Sequence, residues 1–354
     1  MMRMRSQKRS SVGLVFLTVL VLVALVGIVG GWWLLFSKNG VPTSDSPVAV
    51  TIESGSSTRQ VAETLQAAGL IDNPLVFRVR VRFANADAQI KAGDFEITPG
   101  TDYDDIIELL KTGPARQSVR VVIPEGKTIA QTAAILAEKL PIQADDFTTI
   151  ARSAAPDYVD RFEFLAGAYQ DSLEGFLFPD TYDFDVDATA DQVITTMLSR
   201  FRDVWASLDA PSATTKGYTT TEIVTIASLV EREVSVDDER VLVSSVIQNR
   251  LKKGMRLQLC SSVQFLLPGE EKSKLRLTNA DLATESPYNT YLHQGLPPGP
   301  IANPGRAALD AALHPAKTDY IYFVLTGKDG SQTFCSTLAQ FEKAKAKSKA
   351  VFGE

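Results

Sequence analysis

Hydrophobic and polar positions divide the chain into one long apolar run and a longer body in which strand-like and helix-like patterns alternate. From Val12 to Phe36 the run VGLVFLTVLVLVALVGIVGGWWLLF holds 25 residues without a charge. At 1.5 Å per residue this makes about 38 Å of helix, enough to cross a bilayer with some tilt. Trp32 and Trp33 lie near its C-terminal end, where an indole can be buried on one side and hydrated on the other. The segment Ser37 to Pro47, SKNGVPTSDSP, is rich in turn formers and polar residues and reads as a short flexible tether.

A strand-turn-helix pattern then recurs. VAVTIESGSSTRQVAETL (48–65) and RVVIPEGKTIAQTAAIL (120–136) place Gly55, Gln60, Ala62 and Leu65 opposite Gly126, Gln131, Ala133 and Leu136 at an offset of 71. Each copy has a β-branched strand, a glycine turn, a Ser or Thr N-cap, and a helix with apolar residues every three or four positions. A looser third copy, DFEITPGTDYDDIIELL (94–110), turns at Gly100 and carries Ile106, Ile107 and Leu110. The irregular spacing argues against a solenoid and predicts compact β-α-α-β modules, suited equally to a structural platform and to gripping a linear polymer. Farther on, helices near 145–153 and 190–208 flank LEGFLFPDTYDF (173–184). Its Phe176, Phe178, Tyr182 and Phe184, with nearby Phe164, predict either core or a wall on which sugar rings stack.

The strongest helical signal is TTTEIVTIASLVEREV, Thr219 to Val234. Ile223, Ile226, Ala227, Val230 and Val234 share one face, and Ser228 and Arg232 point away. Glu231 and Glu233 fall at about 80° and about 280° from Ile223, on opposite flanks, so the helix cannot aim both at one bond. A flank carboxyl half buried at the rim of a cleft has a raised pKa and serves as a general acid near neutral pH. The plainer reading is a solvated helix end paired with a neighbour such as Arg240. The next helix, DDERVLVSSVIQNRLKK (237–253), offers Val241, Val246, Ile247 and Leu251 to the core, carries Asn249 and Arg250, and stops at Gly254. Ser286 to Gly305, SPYNTYLHQGLPPGPIANPG, contains five prolines and predicts an ordered, proline-stiffened loop. A flank Glu facing such a Tyr/Asn/Thr loop would make a saccharide cleft.

Composition narrows the chemistry. The 354 residues allow two or three domains. With 36 Lys+Arg against 42 Asp+Glu the net charge is -6, but Arg3, Arg5, Lys8 and Arg9 precede the first acidic residue, and the remainder carries -10. An acidic body excludes general nucleic-acid binding, which needs a basic face. Four basic residues before the apolar run against Lys38 alone shortly after it place the N-terminus in the cytoplasm and the rest outside. The run is too long for a cleaved signal peptide and is expected to stay as a single-pass anchor. Two His and two Cys, with no C-x-x-C pair, leave no conventional zinc site. No metal or cofactor is therefore expected, and oxygen acids carry the chemistry. No G-x-S-x-G elbow supports a serine hydrolase. His314 reads as a cap or a core hydrogen-bonder rather than a base, ahead of a hairpin over 320–334 that turns at Lys328, Asp329 and Gly330.

Five stretches in one order, LEGFLFPDTY (173–182), IASLVERE (226–233), SSVIQNRLKKGMRLQ (244–258), LTNADLATESPYNTYLHQGLPPGPIANPG (277–305) and HPAKTDYIYFV (314–324), resemble the YceG-like endolytic murein transglycosylases of bacteria. The resemblance covers roughly residues 48–345. It implies an α+β fold: a cytoplasmic tail (1–11), a transmembrane helix (12–36), the tether (37–47), a LysM-like βααβ module (48–118), a YceG-like catalytic domain (119–345) that opens with the second repeat copy (119–140), and a C-terminal tail (346–354). The implied activity is that of a lyase cutting the β-1,4 bond between N-acetylmuramic acid and N-acetylglucosamine in nascent glycan strands, without water, to leave 1,6-anhydro ends.

In that family the catalytic residue is the second Glu of the E-x-E pair, here Glu233. Tyr288, Asn289, Thr290 and Tyr291 are the first candidates for sugar contacts, with Glu174, Glu231, Gln258 and Asn249 behind them. Glu231 is equally well read as the partner of an arginine such as Arg250. The implied partners are peptidoglycan strands, the lipid bilayer and peptidoglycan synthases, with no nucleic acid, at the inner or plasma membrane. Two positions depart from the family pattern: Cys260 in LCSSV stands where an Asp is frequent, and Cys335 in TFCSTLAQF where Asn or Ser is common. An extracytoplasmic location permits a Cys260–Cys335 disulfide, two free thiols being the other reading. The rival function is a membrane-anchored, non-catalytic glycan-binding scaffold.

Overall fold

The computed structural model describes residues 10–114, 117–208, 217–268 and 277–353. Arg3, Arg5, Lys8 and Arg9, expected to orient the chain, lie outside the described residues. The chain forms two compact units, Met1–Arg116 and Gln117–Glu354.

In the first unit the apolar run forms one continuous helix, α1 (Ser10–Phe36). Its side chains are described without interruption only from 15 to 26, and among the described residues no helix is long and apolar enough to cross a membrane. The segment after it is not the free tether expected from its composition. The Asn39 side chain donates to Leu70 O at 2.7 Å and Thr101 O at 2.8 Å, and accepts from Asp72 N at 3.2 Å; Ser44 N donates to Pro99 O at 3.2 Å. One amide side chain satisfying several backbone groups holds polar sequence in place without a core.

The rest of the unit runs β1 (Val48–Ile52), α2 (Thr58–Ala67), α3 (Pro74–Phe83), β2 (Gly93–Ile97) and α4 (Tyr103–Thr112). Strands β1 and β2 pair antiparallel with Val50 opposite Phe95 and Ile52 opposite Gly93. Alternation sends Val50, Ile52, Phe95 and Ile97 into a core with Val61, Leu65, Phe77 and Leu110. The first repeat copy therefore closes its sheet with the third.

The second unit begins with the second copy: β3 (Ser118–Val122) and α5 (Ile129–Ala137), followed by α6 (Ala144–Ala151), α7 (Ala155–Tyr158), β4 (Thr181–Asp185) and α8 (Ala190–Ala206). Strand β3 pairs antiparallel with β4. The repeat is a local one. Gly55 and Gly126 turn the chain at φ +81° and +73°, and Ser57 with Gln60, like Thr128 with Gln131, forms a capping box at the helix start. The unit continues through α9 (Thr220–Glu233), α10 (Arg240–Lys252), α11 (Cys260–Gln264), α12 (Asn279–Leu282), α13 (Arg306–Leu313), the antiparallel hairpin β5 (Tyr322–Leu325) and β6 (Gln332–Cys335), and α14 (Leu338–Phe352).

Of the two readings of the aromatic segment, core holds and a sugar-stacking wall does not, since Phe176, Phe178, Tyr182 and Phe184 are buried and Phe164 packs against them. Two expectations change. Ser228 does not point to solvent. Every residue from Ile223 to Val230 is buried, because α9 packs against both α10 and α13, and Ser228 Oγ bonds to Thr225 O while accepting from Ile301 N. Finally, α14 extends to Phe352, so most of the expected tail is helix; its onset is fixed by a Thr337–Gln340 capping box.

Candidate active site

The site grows from the C-terminal end of α9. A capping box between Thr219 and Glu222 starts this helix, and Val234, in extended conformation, ends it, which makes Glu233 its last helical residue. The Glu233 carbonyl accepts from Gln332 Nε2 at 2.6 Å, so β6 supplies the partner that the helix no longer can. Its side chain turns the other way, and Oε1 accepts from Ser261 N at 3.1 Å, in the first turn of α11. Burial raises the Glu233 pKa above the ordinary glutamate value; hydrogen bonding from Ser261 and the charge of Arg232 pull against that rise.

What holds α11 in front of Glu233 is the Pro-rich loop. Thr290, buried, accepts from Leu259 N at 2.9 Å through its hydroxyl, which lies 2.8 Å from Ser262 Oγ, while its carbonyl accepts from Gln258 N at 3.1 Å. Gln258 adopts φ +51°, an uncommon left-handed turn for a residue with a side chain. One residue on, Tyr291 Oη and Cys260 Sγ lie 3.2 Å apart. Burial raises the tyrosine's pKa, the bond to Cys260 adds to that rise, and Glu233 contributes in the same direction. Burial also raises the Cys260 thiol, against the Tyr291 bond that lowers it.

Cys260 and Cys335 are free thiols, so the disulfide considered from compartment alone is not formed. Cys260 points to Tyr291, and Cys335 is buried at the end of β6.

Glu231, two residues before Glu233, is committed elsewhere, as its flank position requires. Its Oε2 accepts from Gly305 N at 3.1 Å and its Oε1 lies 3.6 Å from Arg240 Nη2, with the side chain 7% exposed. The arginine partner is thus Arg240, not Arg250. Arg250 instead donates to Ile321 O and Leu257 O at 2.6 Å each and sits over the Tyr322 ring.

The other expected sugar contacts divide. Tyr291 meets Cys260, next to the Ser261 N–H that reaches Glu233, and the backbones of Gln258 and Thr290 pair with each other in the segment leading to it. Asn289 spends its amide on Leu282 O and Thr284 O and accepts from Tyr291 N. Asn249 donates to Thr318 O and Tyr320 O, splinting the approach to β5. Glu174 accepts from Ile129 N with both oxygens at 3.1 Å, capping α5. Tyr288 is half-buried against Tyr169 and Phe265.

Ser261, Gln332 and Asn303 were not visible as site residues in the sequence. Asn303 ties three segments together, accepting from Gly175 N and Leu177 N and donating to Lys127 O. Its only signal was membership of the quoted loop motif.

The YceG-like family matches over residues 50–347. The chain belongs to that family. Among curated proteins it is 34% identical over 314 residues to the endolytic murein transglycosylase of Bacillus subtilis, covering 86% of this chain and 85% of that one. It is 30% identical over 339 residues to the protein of the same name from Streptococcus pneumoniae, of whose length it covers 61%. A crystal structure of a YceG-like protein from Listeria monocytogenes superposes with a TM-score of 0.59 at 32% identity, over 85% of this chain and 99% of that one. The YceG-like α+β fold is therefore shared by sequence and by structure.

Proposed function

We propose that this chain, like the relatives named endolytic murein transglycosylases, is a lytic transglycosylase that cuts between N-acetylmuramic acid and N-acetylglucosamine within peptidoglycan strands. The observation that carries the reading is Glu233: a carboxyl with a raised pKa, steadied by Ser261 N–H, to whose rise no carboxylate among the described residues contributes. Hydrolysis of a glycoside uses two carboxyls, one of them to handle water or attack the sugar. An intramolecular lyase needs one. Protonated Glu233 gives its proton to the glycosidic oxygen as that bond breaks and N-acetylglucosamine leaves with a free 4-hydroxyl. The resulting carboxylate then takes the proton of the muramic 6-hydroxyl as that oxygen bonds to C1, which restores the acid and leaves a 1,6-anhydro ring. Burial favours the protonated form of the group that this step starts from, and Tyr291 offers a hydroxyl to the sugar.

The same reading takes α1 as a retained anchor with the N-terminus in the cytoplasm, supported by 25 uncharged residues from 12 to 36 with basic residues before them. It takes the β1-α2-α3-β2 arrangement of the first unit as a LysM-like module for glycan, with peptidoglycan synthases as partners at the membrane. Incubating the full chain in detergent with uncrosslinked glycan and analysing the products by mass spectrometry tests the activity. Anhydro-ended fragments that disappear with Glu233→Gln are expected. Reducing ends would mean hydrolysis, and glycan binding without any fragments would leave the scaffold reading.

A further inference from the structure

Helix α3 presents a face left largely exposed by the described residues of the first unit. Leu75 (54% exposed), Arg78, Val79, Arg82 and Phe83 (68% exposed) recur at the spacing of one helical face, while Val76, Phe77 and Val81 fill the core on the other side. Single exposed apolar residues are ordinary on a protein surface. This face differs in two respects. Its Leu, Val and Phe lie four residues apart in register, and both its charged residues are arginines, on a chain that is otherwise acidic. Neither arginine pairs with a carboxylate among the described residues.

The second observation is where α3 sits. It packs against α1, and the inward-facing Arg80 bridges the two: its guanidinium donates to Ser37 O at 2.5 Å, at the first residue after α1, and pairs with Asp104 at 2.9 Å. Asn39 then fastens the following segment to the same unit. The exposed Lys38 adds a third positive charge at this point. Helix α3 is thus held within one side chain's reach of the end of α1.

We propose that this face of α3 docks on the anionic phospholipid surface of the bilayer that α1 enters, with Leu75, Val79 and Phe83 in the headgroup boundary and Lys38, Arg78 and Arg82 on lipid phosphates. The proposal rests on the reading of α1 as an anchor. It makes α1 and α3 one membrane-facing element, continuous through Arg80, and fixes the first unit at the membrane surface. Apolar residues flanked by basic ones are the pattern that interfacial helices use, and each basic side chain near an anionic surface adds about 1 kcal/mol of attraction.

The test places a photo-reactive benzoylphenylalanine at position 83, 21 (within α1) or 96 (an exposed position on β2) of the full chain. The chain is reconstituted in vesicles of equal parts phosphatidylglycerol and phosphatidylcholine, irradiated, and its adducts identified by mass spectrometry. Lipid adducts are expected from positions 83 and 21 but not from 96. Arg78→Glu with Arg82→Glu should weaken docking at least roughly 30-fold, as the loss of about 1 kcal/mol per arginine requires, and cut the adducts at 83 while sparing those at 21. Vesicles of phosphatidylcholine alone should act in the same direction. Lipid adducts at 21 with none at 83, or with 83 joined to a second protein chain, overturn the proposal and leave the anchor standing. Absence of lipid adducts at both 21 and 83 overturns the two together.

Discussion

Glu233 is desolvated enough to favour its proton, yet it accepts a backbone N–H that favours its charge. Its raised folded-state pKa means that the folded protein holds this proton more tightly than the unfolded chain does. The stability it contributes is fully present below the ordinary Glu value of about 4.3 and is lost as pH rises through the raised one. Glu233→Gln, which keeps an oxygen for Ser261 N, should therefore raise the melting temperature relative to the parent at about pH 8 and change it little at about pH 4. Thermal melts across that range check this, and a difference independent of pH would remove the desolvated carboxyl from the argument. For the same reason, activity should fall as pH rises through the Glu233 pKa. Thr290 acts on the same atoms at one remove. Replacing it with Val leaves Leu259 N without its acceptor, which costs about 1–3 kcal/mol in denaturant unfolding and loosens α11 in front of Glu233. Thr290→Ser should restore both stability and turnover; if it restores neither, the hydroxyl is not what holds α11.

The helices are set by their ends. Capping boxes start α2, α5, α8, α9, α12 and α14, and for the two repeat copies, α2 and α5, the Ser or Thr cap is legible in the sequence. Helix α5 has a further device, the buried carboxylate of Glu174 on Ile129 N. A negative charge at a helix N-terminus, hydrogen-bonded to it, is worth about 1–2 kcal/mol. Glu174→Gln should lower unfolding stability by that amount and leave the KM for glycan unchanged. A raised KM at unaltered stability would return Glu174 to the sugar contacts.

For the molecule as a whole, the docked segment after α1 matters most. A free linker would let the first unit range over a few nanometres; Asn39 instead fastens it where α1 ends. Amide hydrogen exchange over 38–46 should be slowed in the parent and accelerated several-fold by Asn39→Ala, because opening the segment no longer requires breaking those bonds. Exchange at unfolded-peptide rates in the parent would overturn the docked arrangement. If α1 is a retained anchor, the full chain should stay in the membrane pellet through an alkaline carbonate wash and be released only by detergent. Release by carbonate would mean that α1 does not span.

The sequence by itself determined whatever depends on neighbours a few residues away. The apolar run, the repeated glycine turns and caps, the helical periodicity over 219–234, and the family motifs are all local patterns, and a helix or a cap answers to local physics. Tertiary structure decided which polar groups remain free for chemistry. Asn289, Asn249, Glu174 and Glu231 look alike as candidates along the chain, and each proves committed to backbone or to an arginine. The contacts that single out Glu233 come from far along the chain. Ser261 N reaches it across 28 residues of sequence, and Thr290, which holds that segment, bonds Leu259 from 31 residues away. Periodicity reports which face of a helix is apolar; only packing decides what stands opposite it. For α9 the answer is protein on every side from Ile223 to Val230, and at its last residue the desolvation that packing imposes, which no pattern of spacing encodes, raises the pKa of Glu233.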